Sequence, residues 1–257
     1  MNHRPRRRFS QNFLVDAAMI AAIVAALRPR QDEHIVEIGP GLGALTRPLL
    51  MATEHVHAIE VDRDLAALLE KEFGARLKLH VSDVLKFDFS SLGNDLRVIG
   101  NLPYHISTPV LFHVAQFCDQ IRDIHVMLQK EVVARMTAAP SDSNYSRLSV
   151  MLQYRFSVEK LIDVPATAFN PAPAVESAVA RLIPLRPMPH IANDEDAFAR
   201  VVAAAFSQRR KTLRNSLREY VSERDFDKLS IAPEMRAQNL GVEHYVAIAN
   251  HIVNRDS

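Results

Sequence analysis

The stretch His34-Ile-Val-Glu-Ile-Gly-Pro-Gly-Leu-Gly43 decides the fold. A short apolar run that halts at glycines reads as a buried strand opening into a tight turn. The glycines allow the sharp turn and let backbone approach a ligand closely. By itself such a turn is equally consistent with a structural bend, so its neighbours matter. A second strand, His55 to Glu60, ends in an acid 21 residues beyond Gly39, where nucleotide-binding folds place a carboxylate for a ribose hydroxyl. Asp83 follows a third strand, Leu77 to Val81, and Asn101 follows a fourth, Leu96 to Ile99. All four features fall at the carboxyl ends of successive parallel strands, the ligand-binding edge of an open α/β sheet. NAD is one candidate. The spacing, however, is G-x-G-x-G and not G-x-G-x-x-G, and Glu37 and Pro40 are atypical of dinucleotide sites. An acid after the third strand suits an adenine amino group. The combination favours S-adenosylmethionine.

Outward from this core, Asp16 is placed to cap a helix running to about Arg28, which Pro29 ends. Leu42 to Leu50 reads as helix, and Asp62 to Phe73 as an amphipathic helix with Leu65, Leu68 and Leu69 on one face. A helix from about Thr108, a strand at 124–128, and helices at 131–138 and near 147–154 follow. Two strands, 158–164 and 177–184, flank a proline-rich loop and are expected to pair as an edge hairpin. Strands alternating with helices predict a doubly wound, Rossmann-like α/β sheet. After the proline cluster that starts at Pro184 the pattern is helical only. Two domains are expected, residues 1–186 and a small all-helical domain at 187–257.

With 257 residues, 48% of them apolar, the chain can bury a large core. The single cysteine, Cys118, excludes an internal disulfide and a cysteine-cluster metal site. It reads as buried filler in a reducing compartment. No run approaches the length of a membrane span and no signal peptide is recognisable, so a cytoplasmic location is expected. His55 and His57 share a strand face without a visible third ligand, so no metal is expected. The formal net charge of +1 hides a distribution. Residues 1–30 hold six Arg and one acid, and residues 207–218 hold five basic residues and no acid. Such runs are either solvated helix faces or phosphate contacts.

Asn101-Leu-Pro-Tyr104 ends the fourth strand facing the cofactor cleft. Methylation of an exocyclic base nitrogen requires two acceptors, because the nitrogen lone pair is delocalised into the ring. The Asn101 side-chain oxygen and the Leu102 carbonyl are positioned in sequence to take the two N–H hydrogens. Pro103 stiffens the loop, and Tyr104 is suited to stack on the base. Positioning of this kind supplies roughly 7–11 kcal/mol. Phe169 is a candidate for the other face of an extruded base, or a core aromatic at a strand end.

These residues, together with Arg8-Phe-Ser-Gln-Asn-Phe-Leu14, Ser82-Asp-Val-Leu85, Phe169-Asn-Pro-Ala-Pro-Ala-Val-Glu-Ser177 and Phe206-Ser-Gln-Arg-Arg-Lys-Thr-Leu-Arg-Asn215, carry a resemblance over nearly the whole chain. The sequence resembles the rRNA adenine N6,N6-dimethyltransferases, in particular their bacterial small-subunit branch, which have a class I methyltransferase fold. The related 23S rRNA enzymes tend to have Ile before the Pro of Asn-x-Pro-Tyr and lack the run after Phe206. The resemblance implies dimethylation of two adjacent adenosines in the 3′-terminal hairpin loop of 16S rRNA. The substrate would be an immature 30S subunit, with a second role in subunit biogenesis. It implies that Asn12 and Leu14 line the S-adenosylmethionine site. Gly39 and Gly41 would lie along the cofactor, Glu60 on the ribose, Asp83 on the adenine amino group, and Val61 and Val84 beside adenine. Asn101 would touch both cofactor and target nitrogen, and S-adenosylhomocysteine would be the product. Arg209, Arg210, Lys211 and Arg214 are expected to contact rRNA phosphates from a basic helix. The arm residues Arg4, Arg6, Arg7 and Arg8 are expected to be mobile without RNA, and the protein to act as a monomer. One departure is His105, where the family more often has Asn; it is expected to orient the loop or contact RNA.

Overall fold

A computed structural model of the chain describes residues 12–208 and 210–256. The arm arginines at positions 4, 6, 7 and 8 lie outside the described residues. The elements in order are β1 (Phe13–Leu14), α1 (Ala17–Leu27), β2 (Ile35–Ile38), α2 (Thr46–Ala52), β3 (Val56–Glu60), α3 (Arg63–Phe73) and β4 (Leu77–Val81). Then come β5 (Leu96–Asn101), α4 (Ser107–Ala115), β6 (Ile121–Gln129), α5 (Lys130–Thr137), α6 (Arg147–Gln153), β7 (Phe156–Val164), β8 (Phe169–Asn170) and β9 (Ser177–Pro184). The chain closes with α7 (Glu195–Ala205), α8 (Leu213–Ser216), α9 (Glu223–Lys228) and α10 (Val242–Asp256). Among the described residues no helix is long and apolar enough to cross a membrane.

Seven strands form one sheet in the order β4-β3-β2-β5-β6-β9-β7. The pairs from β4 to β6 are parallel, and β9 runs antiparallel to β6. The last two long strands are neighbours, as their connection predicts. They lie at one edge of the sheet as expected, with β9 next to β6 and β7 outermost. All four residues of β2 are buried, as expected for a central strand covered on both faces. Local signals hold closely. Asp16 caps α1 by accepting from Met19 N at 2.9 Å. Cys118 is buried beyond α4. The helix expected from Leu42 begins only at Thr46, because Gly43, inside the expected span, holds a φ of 77°, a value that a right-handed helix excludes.

The chain divides into two compact units. The first runs through Val133 and adds Val158–Pro184; the second joins Ala134–Ser157 to the chain from Leu185. Residues 134–157 therefore leave the unit that their sequence position suggested. The reason is packing: Tyr145, Val150 and Tyr154 share a core with Phe198, Val202 and Tyr245. In that unit the Tyr154 and Phe198 rings lie 4.4 Å apart, and Tyr245 donates to the Ala237 carbonyl at 2.6 Å.

In the first unit the strand starts are clamped by charge. Arg97 opens β5 and its side chain is 8% exposed. It pairs with Glu33 at 2.6 Å and Asp123 at 2.7 Å and donates to the Leu27 carbonyl at 2.7 Å. Burial works against the ionised Glu33, but the hydrogen bonds from Arg97 and the Arg30 amide hold its carboxyl below the ordinary range. At the opposite, carboxyl ends, Gly100 of β5 faces Ile38 of β2. A Cβ at Gly100 would sit 2.6 Å from the Ile38 carbonyl oxygen. Replacing Gly100 by Ala is expected to destabilise the protein by about 1–3 kcal/mol through overpacking. Thermal unfolding reads this as a lowered midpoint, and an unchanged midpoint would show that the two strands separate without cost.

Candidate functional site

One cavity of about 1060 Å³ opens over the carboxyl ends of β2, β3 and β5. It is lined by twelve residues that the sequence singles out: Asn12, Leu14, Gly39, Gly41, Glu60, Val61, Asp83, Val84, Asn101, Leu102, Pro103 and Tyr104. Their positions along the chain are far apart, and the parallel sheet gathers them because each strand ends at the same edge. Gly39 donates its amide to the Ile59 carbonyl at 2.9 Å, which seats the turn between β2 and β3. A Cβ on Gly41 would press to 3.2 Å from the Phe13 ring, so this glycine is needed for close approach as well as for its positive φ.

Glu60 is buried, with both carboxylate oxygens engaged: one accepts from Asp62 N at 2.9 Å, the other from Gly41 N at 3.4 Å. Burial raises its pKa against those hydrogen bonds. Glu37 also lines the cavity and is 2% exposed. It accepts from Thr46 Oγ1 at 2.6 Å. Burial pushes its carboxyl up from 4.5 to about 7, with the nearby Glu60 adding and the Thr46 hydrogen bond opposing. The site thus holds two buried carboxyls whose ionisation burial opposes, with the charge of Glu60 adding to the effect on Glu37 and that of Asp62 to the effect on Glu60. The sequence marks Glu37 as the acid that opens the glycine motif and sets it apart from dinucleotide sites; its place as a buried cavity wall emerges from the fold. Arg47 adds a brace, pairing with Glu72 at 2.7 Å and donating to the Leu42 carbonyl at 2.9 Å, which fixes the far end of the glycine turn.

Asp83 is half-buried and accepts from Leu85 N at 3.0 Å. Val84 is buried and Val61 half exposed, so the adenine walls expected from sequence differ in depth. Asn101 Nδ2 donates to the Asn12 carbonyl at 3.2 Å. That bond sets the amide orientation and leaves Oδ1 as its acceptor end. Leu102 N donates to the Met127 carbonyl at 3.1 Å, and the Leu102 side chain is buried. Tyr104 is half-buried with its hydroxyl 2.6 Å from Ser177 Oγ. His105 is exposed and lines the same cavity.

Phe169 stands apart. It is 4% exposed, packs in the core with Leu14 and Val179, and does not line the cavity. Its backbone pairs with Leu14 across β1 and β8, which turns its ring inward. Of the two readings of this residue, the structure places it as the core aromatic. The basic segment also differs from expectation. It is not one helix: residues 206–208 and 210–211 are turns and bends, Thr212 forms an isolated antiparallel bridge with Arg236, and α8 is four residues long. Arg210 and Lys211 are exposed. Arg214 is tied to Glu223 at 2.7 Å and Glu234 at 2.8 Å. Arg209 lies outside the described residues. His57 Nδ1 lies 3.0 Å from His80 Nε2 on the neighbouring strand, and burial lowers the His57 pKa to about 4.

Comparison with known proteins agrees with this geometry. The profile of the ribosomal RNA adenine dimethylase family matches residues 2–254. A ribosomal RNA small subunit methyltransferase A from Nitrosospira multiformis is 58% identical over 252 residues, covering 98% of this chain and 97% of the relative. One from Thiobacillus denitrificans is 57% identical over 254 residues, covering 98% of this chain and 100% of the relative. Among solved structures, a dimethyladenosine transferase from Plasmodium falciparum superposes with a TM-score of 0.81 at 25% identity, over 95% of this chain and 98% of that one. With its motifs gathered on a single cavity and a family match over almost its entire length, the chain belongs to the ribosomal RNA adenine dimethylase family.

Proposed function

We propose that this chain dimethylates N6 of two adjacent adenosines in the 3′-terminal hairpin loop of 16S rRNA. The substrate would be the immature small subunit, and occupancy of that subunit would also serve its biogenesis. The observation that carries the reading is the convergence of Asn101-Leu-Pro-Tyr104 with Gly39, Glu60 and Asp83 on one cavity. The cavity fits S-adenosylmethionine in size and in chemistry: a glycine turn without side chains, a ribose-height carboxylate and an acid beside apolar walls. S-adenosylmethionine, when bound, supplies an electrophilic sulfonium methyl group.

The chain's own residues do the rest. Glu60, held in place by the Asp62 and Gly41 amides, would accept from ribose hydroxyls. Asp83, anchored through one oxygen to Leu85 N, would accept from the adenine amino group of the cofactor through the other. Asn12, Leu14, Val61 and Val84 would complete the wall. Asn101 Oδ1 and the Leu102 carbonyl would take the two N6 hydrogens of the target, drawing the nitrogen toward tetrahedral geometry and aiming its lone pair. Tyr104 would stack on the target base. The released proton needs only water. Positioning supplies the acceleration. Arg210 and Lys211 would meet rRNA phosphates; Arg214, already paired with Glu223 and Glu234, would contribute less.

Three outcomes follow. Asn101→Ala and Glu60→Ala are expected to cut methyl transfer to unmethylated small subunits by at least roughly 100-fold, as for loss of a positioning or oriented hydrogen-bonding group. Subunit binding, read by sedimentation, should persist in both variants. Retained transfer in either would remove that residue from the site. The Arg210→Glu/Lys211→Glu double variant should weaken subunit binding and lessen its log–log salt slope by roughly 1 to 2; an unchanged slope would place these residues off the RNA. For Glu37, the folded chain holds a proton that the unfolded chain releases, because its pKa rises from 4.5 to about 7 on folding. Its contribution to stability is therefore complete below pH 4.5 and is lost as pH climbs to about 7. Glu37→Gln should gain in thermal midpoint relative to wild type between pH 5 and 8, and parallel midpoint curves would refute the buried titration.

A further inference from the structure

We propose that Ser177 is a positioning residue for methyl transfer, its buried hydroxyl fixing through the Tyr104 hydroxyl the place of the ring that stacks on the target adenine. The proposal rests on the adenine-methylating reading above. Ser177 is 0% exposed at the first position of β9, and its Oγ lies 2.6 Å from the Tyr104 hydroxyl. Tyr104 is half-buried and lines the cavity, so its ring links the reaction space to a fully enclosed anchor.

The anchor is itself immobilised. Ser177 pairs with Gln129 in the β6–β9 ladder. The residue before it, Glu176, accepts from Lys130 N at 3.0 Å through its carbonyl and from Lys130 Nζ at 2.9 Å through its carboxylate. At the other end of the ring, the Tyr104 carbonyl accepts from Ser107 Oγ at 3.1 Å. A tyrosine ring joined to its backbone alone can swing between χ1 wells. Holding the hydroxyl, which lies on the χ2 axis, as well as the backbone fixes the direction of that axis and so the place of the ring in the cavity. A short hydrogen bond between neutral hydroxyls contributes modestly, enough to bias where the ring points without preventing exchange.

The contact also closes a circuit through the three motifs that are scattered in sequence. Ser177 ends the segment that starts with β8. β8 pairs with β1, Phe13 opposite Asn170 and Leu14 opposite Phe169. The residue preceding β1, Asn12, holds the Asn101 amide. Asn101 and Tyr104, the two ends of one four-residue loop, are therefore gripped from the two ends of one β1/β8–β9 scaffold. The Asn101 grip orients the acceptor for the N6 hydrogens. The Tyr104 grip orients the surface against which the base lies. Repeated transfer makes the second grip matter more, because a monomethylated base must re-enter with its nitrogen turned.

The test uses Ser177→Ala, Tyr104→Phe and the double variant on unmethylated small subunits. Single-turnover transfer is followed with labelled cofactor, and mass spectrometry separates monomethyl from dimethyl adenosine. Each single variant is expected to slow transfer roughly three- to tenfold, the span of one lost neutral hydrogen bond. The double variant should be no slower than the slower single one, since both remove the same bond. Monomethyl adenosine should accumulate, while S-adenosylmethionine affinity by calorimetry stays at the wild-type value and the thermal midpoint falls by no more than the roughly 2–4 °C of one lost hydrogen bond. Unchanged rates and product ratios, losses that multiply in the double variant, or losses that track cofactor affinity or unfolding would each overturn the proposal. Those outcomes assume transfer by the wild-type chain. If the wild-type chain transfers no methyl group to the subunit, the adenine-methylating reading falls and the proposal with it.

Discussion

The close approach of β5 to β2 is the constraint on which the site depends. Only glycine at position 100 lets the backbone of β5 lie against the Ile38 carbonyl. One residue further along each strand stand Gly39, which begins the turn, and Asn101, which begins the reactive loop. A Cβ on Gly39 would lie 3.9 Å from the Asn101 carbonyl, so the two segments are near neighbours at the point where the strand order reverses. Cofactor turn and target loop are thus brought together by strand spacing, before any side chain acts.

Charge is distributed to suit. The strand starts are locked by Arg97 between Glu33 and Asp123, a pairing almost closed to water. Such a cluster gives little net stability but penalises any register in which a partner is missing. The strand ends hold Glu37 and Glu60, two buried carboxyls whose desolvation is left only partly offset by their hydrogen bonds. A cationic ligand relieves both. The polarity of the sheet therefore separates the charges that secure the fold from those that are available to a ligand.

Much of this is legible along the chain. The apolar run of β2 halting at glycine, Glu60 at its ribose distance and the Asp16 cap follow from local rules that need no tertiary information. The formal charge of +1 is a weak guide, since it averages exposed Arg210 and Lys211 with buried Glu37 and Glu60. Where local rules mislead, packing is the cause. Residues 134–157 join the helical unit because Tyr145 and Tyr154 find aromatic partners there. The Leu42 end of a predicted helix becomes turn because positive φ at Gly43 stops the helix from starting there.

Residue type and spacing alone determined the α/β class, the site edge of the sheet and the cavity residues Gly39, Gly41, Glu60, Asp83 and Asn101 to Tyr104, because a parallel strand delivers whatever follows it to the same edge, while Asn12, Leu14, Val61 and Val84 came from the family resemblance. Tertiary structure decided orientation and partnership. It turned Phe169 into the core through its pairing with Leu14, set the Asn101 amide by the Asn12 carbonyl, and placed Ser177 against Tyr104. Those contacts join residues 73 and 89 positions apart, and a side-chain direction set by such a distant partner leaves no periodic trace in the chain.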